Sequence, residues 1–214
     1  MRVREDATDT ETNIGFDAHG DLDTAAIAAH CGTANGYVVN WFDQAGSQND
    51  ATQSTLASQP QIYNGTAVNT VNGKPGMSAT STTQQLVTSN SLTTTSDGDA
   101  TVAAVFYQDS GENVSPNIVF GQHGGAAIVQ WMKLKDTELQ SIYRDTTGSI
   151  RTLDLNVSYT NAAQQLGVLR FNGTSGELHV NNTSSSGTIL GSPENKSAPV
   201  TVTGRAGQEA MIGT

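Results

Sequence analysis

Short runs in which apolar and polar residues take turns cover most of this chain, separated by clusters of Gly, Asn, Asp, Ser and Thr. An alternation of period two predicts strands that bury one face, and the clusters between them predict turns. The most apolar run, Ala100–Gln108, is predicted to lie centrally in a sheet. Residues 117–121, 126–134, 139–144 and 150–157 come next, at the short intervals of antiparallel strands. A hairpin is predicted from 165–171 to 176–182 around Asn172-Gly173-Thr174-Ser175, and a second over 68–77 with Asn72-Gly73 at its turn. Tyr37–Phe42 reads as a core strand, with one of Trp41 and Phe42 expected inside. Pro60 is expected to keep 58–63 out of a central ladder position. Residues 1–20 predict an edge strand and a short hairpin or loop anchored by Val3, Ile14 and Phe16, and 78–98 read as a polar tract punctuated by Leu86, Val87 and Leu92.

One stretch carries helix signals, Asp21 to Gly32. Asp23 is a suitable N-cap, Leu22 and Ile27 have the spacing of a hydrophobic staple, and Gly32 supplies a left-handed stop. A helix of about two turns near residues 23–31, packed on the sheets, is the expectation. Cys31 and His30 at its end read as a buried thiol and a residue compatible with the helix dipole, in preference to a nucleophile and a base.

Composition agrees with an all-β class. Only 14% of the 214 residues are charged, and the length suits one sandwich domain. A net charge of −10 argues against a nucleic-acid partner, whose phosphates call for Lys and Arg. No apolar segment approaches the roughly 20 residues of a spanning helix, so membrane insertion is not expected, and residues 1–6 lack the apolar core of a signal peptide. With Cys31 the only cysteine, an internal disulfide is excluded.

The core strand leads directly into Trp41-Phe42-Asp43-Gln44-Ala45-Gly46-Ser47-Gln48-Asn49-Asp50-Ala51-Thr52-Gln53, a corner whose side chains can bond their own backbone and whose Gly46 permits positive φ. This stretch resembles the W/Y-x-D-Q-S-G-x-G-x-D/H-A-T-Q signature of concanavalin A-like, laminin-G-like jelly-roll domains related to the catalytic domain of fungal α-L-arabinofuranosidase B. Ala45 stands where that signature has Ser, and Gln48 where it has the second Gly. The resemblance extends over most of the chain and implies one antiparallel jelly-roll sandwich over residues 1–214, lacking the first and last segments of the family pattern. It aligns 209–214 with a penultimate strand and implies an open edge beside Ala210-Met211-Ile212, to be covered from elsewhere. Domains of this kind occur in phage virion and tail proteins and in bacterial surface proteins, usually without demonstrated catalysis.

Three chemistries compete. Glycoside hydrolysis needs two carboxyl groups roughly 5–9 Å apart; Asp136 and Glu138 are the first candidates, with Asp145 and Glu177 behind them. The resembled enzymes place a nucleophile in a Met-x-x-Glu-Asn-type strand and cysteines beside the sugar. Trp131-Met132-Lys133-Leu134-Lys135-Asp136-Thr137-Glu138 does not reproduce that motif, and Cys31 alone cannot form a vicinal pair. Glycan binding needs an aromatic platform with a few amide or carboxylate groups, for which Trp131, Tyr107 and Tyr143 are the candidates, with Tyr159 after them. Calcium would find oxygen ligands in Asp43, Asn49 and Asp50, although Asx turns explain the same residues without an ion, and no other cofactor is expected. The leading expectation is a non-catalytic adhesion or structural module at a virion or extracellular surface. Its partners would be other virion proteins or a second copy, and a host glycan. An arabinofuranosidase-like hydrolase is the rival, and a purely structural decoration domain the third class.

Overall fold

The computed structural model of the protein describes residues 1–81, 83–91, 100–108, 117–124, 127–135, 137–144, 150–160, 162–172, 175–188, 199–202 and 210–213. Its elements are β1 Arg2–Glu5, β2 Glu11–Asn13, α1 Thr24–Cys31, β3 Asn35–Trp41, β4 Ala51–Thr52, β5 Gln61–Asn64, β6 Thr70–Val71, β7 Lys74–Ala79, β8 Leu86–Ser91, β9 Ala100–Gln108, β10 Asn117–Gly124, β11 Ala127–Lys135, β12 Glu138–Arg144, β13 Ile150–Ser158, β14 Gln164–Asn172, β15 Ser175–Val180, β16 Thr183–Thr188, β17 Pro199–Val202 and β18 Ala210–Gly213. The strand pairings among them are antiparallel, and the architecture is the expected all-β sandwich with one short helix.

The two layers part at β3. One edge of that strand pairs with β1, while the other is divided: Asn35–Tyr37 pair with β5, and Asn40 and Trp41 with β4. From β5 the first layer runs β5–β7–β18–β9–β14–β15–β16. From β4 the second runs β4–β8–β17–β10–β11–β12–β13. A strand can serve both because the chain turns sharply after Trp41, so β4 meets only the last two residues of β3 and leaves the rest of that edge to β5.

Two apolar clusters fill the molecule. One lies between the layers, with Phe106, Leu169, Phe171, Leu178 and Val180 from the first facing Val119, Met132, Leu134, Leu139, Leu155 and Val157 from the second. The other gathers Val3, Ile27, Cys31, Val38, Ile62, Met77 and Leu86 under α1. Each fully buried Leu, Ile or Phe contributes about 1.5–3 kcal/mol, so the clusters dominate the energetics. Trp41 is packed against both. Trp41 and Phe42 are each half-buried, not one in and one out, because β3 ends at Trp41 and the alternation stops with it.

The helix obeys its sequence signals. The Asp23 carboxylate accepts from the Ala26 N–H at 2.9 Å, Leu22 and Ile27 are both buried in the cluster beneath, and Gly32 closes the helix at φ 60° with its N–H donating to the Ala28 carbonyl. An eight-residue helix is too short to persist alone, so burial of Ile27 and Cys31 keeps it in place. Asn72 and Gly73, at φ 50° and 76°, make the β6–β7 turn with the positive φ pair of a type I′ hairpin.

Four expectations need correction. The first strand is not an edge, since β1 lies between β2 and β3, and Phe16 is 60% exposed while Val3 and Ile14 are buried. Residues 61–64 are central although Pro60 precedes them; Pro60 stays outside the strand, where it needs no N–H, and its carbonyl accepts from Val38. No edge is open beside Ala210-Met211-Ile212, because β18 is inserted between β7 and β9 and paired with both. Leu86–Ser91 and Thr183–Thr188 form strands whose composition does not announce them.

Arg4 and Glu5 are buried at the end of β1 and hold the turn to β2. The Arg4 guanidinium donates to Gln59 Oε1 at 2.7 Å and Asp9 Oδ1 at 2.6 Å and lies 5.1 Å from the Tyr37 ring centroid. Glu5 accepts from the Thr8 hydroxyl, the Ala7 and Thr8 amides, and the hydroxyl and amide of Thr10. These donors, the Thr8 hydroxyl first, outweigh desolvation and hold the carboxyl down at about 2, against an ordinary 4.5. A depressed carboxyl stabilises the fold fully above its unfolded value and ceases to do so as pH falls through the folded one. The urea midpoint is therefore expected to drop as pH falls from 4.5 toward 2, and Glu5→Gln is expected to flatten that drop. An unchanged slope in the variant would show that the turn does not carry the effect.

Candidate binding face

Along β14 burial alternates strictly: Gln165, Gly167, Leu169 and Phe171 point inward, and Gln164, Leu166, Val168, Arg170 and Asn172 outward. The register carries the outward row across the layer. Tyr107 is paired with Gln164, Val105 with Leu166, Ala103 with Val168 and Thr101 with Arg170 on one side; on the other, Val168 faces His179 and Arg170 faces Glu177. The outcome is a sheet face with an apolar strip of Val105, Ala103, Leu166 and Val168, half-buried Tyr107 at one end and a charged group at the other. Leu166, 46% exposed, is one of the few large apolar side chains left that open to solvent among the described residues.

Its margins are fixed by amides. Asn181 accepts from the Leu166 N–H at 2.9 Å and donates to Gln165 Oε1 at 2.6 Å, which sets the start of β14 against the β15–β16 turn. Asn72 donates to Gln164 Oε1 at 3.3 Å, and Lys74 stands 3.7 Å from Asp21, so the β6–β7 turn borders the Tyr107 end. At the far end the Glu177 carboxylate lies 3.6 Å from His179 Nε2 and 3.9 Å from Arg170 Nη1. These groups are about half exposed, where ion pairs add at most about 1 kcal/mol. Their role is to present donors and acceptors. An apolar strip with an aromatic ring at one end and such groups at the other suits an extended ligand with one C–H face and a hydroxylated rim.

The other sequence candidates fall elsewhere. Trp131 lies in β11, paired with Gly121 and Ile142, and Tyr143 in β12, paired with Gln130 and Arg151. Both belong to the second layer, on neighbouring rungs of the β11–β12 ladder, whereas Tyr107 belongs to the first. The side chains of Trp131 and Tyr143 lie outside the described residues. Tyr159 is core: its ring meets Phe106 edge to face at 5.4 Å and its hydroxyl donates to Gln108 Oε1. Glu138 is half-buried in β12, paired with Lys135 and Ser158; Asp136 and Asp145 lie outside the described residues.

At the corner after β3 the carboxylates serve the loop. Asp43 accepts from the Ser47 hydroxyl, the Ala45 amide at 2.7 Å and the Asn49 amide at 3.2 Å, and these bonds hold it below the ordinary carboxyl range. Asp50 accepts from the Asp43 N–H at 2.7 Å and Asn40 Nδ2 at 3.3 Å. Asp43 thus makes an Asx turn with Ala45, and Asp50 ties the end of the loop back to its start. Among the described residues no three His, Cys, Asp or Glu side chains converge as metal ligands. Cys31, the last residue of α1, is buried, and burial, with Glu5 and Asp6 nearby, raises its thiol above the ordinary value.

Sequence patterns point to Tyr107 but not to Leu166, Arg170 and His179. A signal for the strip is nonetheless present: once Leu169 and Phe171 are assigned inward, Leu166 and Val168 are apolar residues on the outward parity of one strand. Among the described residues no helix is long and apolar enough to cross a membrane, a statement that does not touch β-barrels.

No protein family matches the sequence, and neither does any curated protein. Solved structures do match. A GH54 α-L-arabinofuranosidase, an E221Q mutant soaked with 4-nitrophenyl α-L-arabinofuranoside, is similar over 99% of this chain and 53% of its own, at 15% identity and a TM-score of 0.62. The binding domain of Paraclostridial Mosquitocidal Protein 1 is similar over 80% of this chain and 44% of its own, at 14% identity and a TM-score of 0.57. The binding domain of botulinum neurotoxin DC, in complex with rat synaptotagmin II, is similar over 82% and 46%, at 7% identity and a TM-score of 0.54. The chain thus spans about half the length of each, and at these identities what it shares with them is the β-sandwich fold.

Proposed function

We propose that residues 1–214 act as one non-catalytic jelly-roll module that binds a glycan or a glycan-bearing receptor through the β9–β14–β15 outward face. The observation that carries this is the exposed apolar strip with Tyr107 at one end and the Arg170, Glu177 and His179 side chains at the other. It is supported by the use of the same fold in domains named as binding domains of toxins. The setting we propose is an exposed structural protein, such as a phage virion or tail appendage, or another extracellular surface. Its assembly partners would be other virion proteins.

A glycan array probed with the labelled chain is the first test. For any glycan bound, Tyr107→Ala and Leu166→Ser are each expected to weaken binding at least about tenfold with the circular dichroism unchanged. Equal binding by both variants, with loss in Trp131→Ala or Tyr143→Ala, would move the site to the second layer. The rival hydrolase reading is tested alongside it. No arabinose is expected from aryl arabinofuranosides, and turnover abolished by Glu138→Gln would replace the binding reading with an enzyme.

A further inference from the structure

Tyr107 and Gln164 make one outward row of the β9–β14–β15 face, and Thr101, Arg170, Glu177 and Ser186 make another, farther along the same strands. At about 3.4 Å per residue the two rows stand roughly 20 Å apart. Between them the outward positions of β9 and β14 are apolar, with Leu166 beside Val105 and Val168 beside Ala103. A pyranose with its glycosidic oxygen, a few single bonds of about 1.5 Å each, advances a chain by roughly 5 Å, so about four units cover the distance. No single sugar ring touches both ends.

The residues that β16 sets beside Glu177 and His179 are Ser186 and Ser184, small and exposed. Among the described residues, then, nothing on that side rises to close around the end of a sugar chain. The charges of the face also cancel. Glu177 lies within ion-pair range of both Arg170 and His179, and β9 and β16 carry no charged residue at all. A chain of net charge −10 repels acidic polymers, and the described part of this face holds no cation without a carboxylate partner to draw them in.

Taking the face as the glycan site proposed above, we infer that its ligand is an uncharged linear polysaccharide, of which a segment of about four sugars lies lengthwise along β14. The C–H faces of the sugars rest on Tyr107, Leu166 and Val168, and hydroxyls at the far end meet Arg170, Glu177 and His179. Affinity is thereby spread over several weak contacts. Because no chain end is read, the same site recurs many times along one polymer.

Titration calorimetry of the 214-residue chain with uncharged gluco-, manno-, xylo- and arabino-oligosaccharides of graded length tests this. In one of these series affinity is expected to rise at least about tenfold from disaccharide to tetrasaccharide and then to level off. Between about 0.05 and 0.5 M salt it is expected to stay constant, since an uncharged ligand leaves nothing to screen. Tyr107→Ala is expected to weaken short and long ligands alike. Glu177→Ala is expected to spare the disaccharide, held by Tyr107 and Leu166, and to weaken the longest ligand at least about fivefold. On that ligand the two losses are expected to multiply, because the groups are too far apart to couple. Undiminished disaccharide binding also shows that the Glu177 variant is folded. A disaccharide as tight as the longest ligand, a disaccharide weakened by Glu177→Ala, or binding confined to acidic or branched glycans would each overturn the inference while leaving the face a glycan site. Failure to bind any glycan would remove both.

Discussion

Trp41→Ala is expected to destabilise the protein by about 3 kcal/mol, the lower end of the range for removing a large aromatic side chain, because the ring is half-buried. Its weight comes from position. Trp41 packs against the cluster under α1 and against the cluster between the layers, at the point where the edge of β3 passes from β5 to β4. Removing the indole opens space on both sides, and neither cluster can collapse into it without moving β3. Urea unfolding monitored by far-ultraviolet circular dichroism is the measurement, and a smaller slope is expected with the lower midpoint, since loss of the shared residue weakens the coupling between clusters. Trp41→Phe, which keeps a ring at the junction, is expected to recover more than half of the loss. A cost below about 1 kcal/mol for the alanine variant would show that the layers are joined by the backbone ladders alone.

Gly36→Ala is expected to cost about 2 kcal/mol through overpacking. A Cβ at this position would stand 2.7 Å from Cys31 Sγ, 3.0 Å from Tyr63 Cβ and 3.3 Å from Val3 Cγ1, so helix, strand and neighbouring strand all resist it. Tyr63 has little room to retreat, because its hydroxyl donates to the Gly32 carbonyl at 3.1 Å. The sulfur is the nearest obstacle. In the double variant Cys31→Ala/Gly36→Ala the cost is expected to fall at least about 1 kcal/mol below the sum of the singles, since the new methyl enters the space the sulfur leaves. Strictly additive melting data would show that Tyr63 and Val3, not the thiol, set the limit.

What the chain reveals before folding depends on how far away the deciding contact lies. Asp23, Ile27 and Gly32 announce a helix because a cap, a staple and a left-handed stop are local geometries that need no neighbour. Asn72-Gly73 announces its turn for the same reason. Thr183–Thr188 announces nothing, because its strand state is conferred by β15 alongside it. Residues 210–212 cannot be placed from their own composition, because their two partners, β7 and β9, lie more than a hundred residues upstream. For the site, alternation in Gln164–Asn172 is enough to find the outward face, whereas the union of Tyr107 with Leu166 and His179 is a matter of register, which no single strand contains.

The division of the core along the chain has a consequence for synthesis. Every buried residue of the cluster under α1 lies between Met1 and Leu86, and every buried residue of the cluster between the layers lies between Phe106 and Val180. The first cluster can therefore close while the rest is still on the ribosome. It does so with two flanks bare, because β7 waits for β18 and β8 for β17, strands that emerge more than a hundred residues later. At 5–20 residues per second that wait lasts roughly 6–25 s. During it, a nascent chain whose first core has already formed displays two strands with one edge each unpaired, and neighbouring polysomal copies carrying the same strands are the competitors that β17 and β18 must outrun.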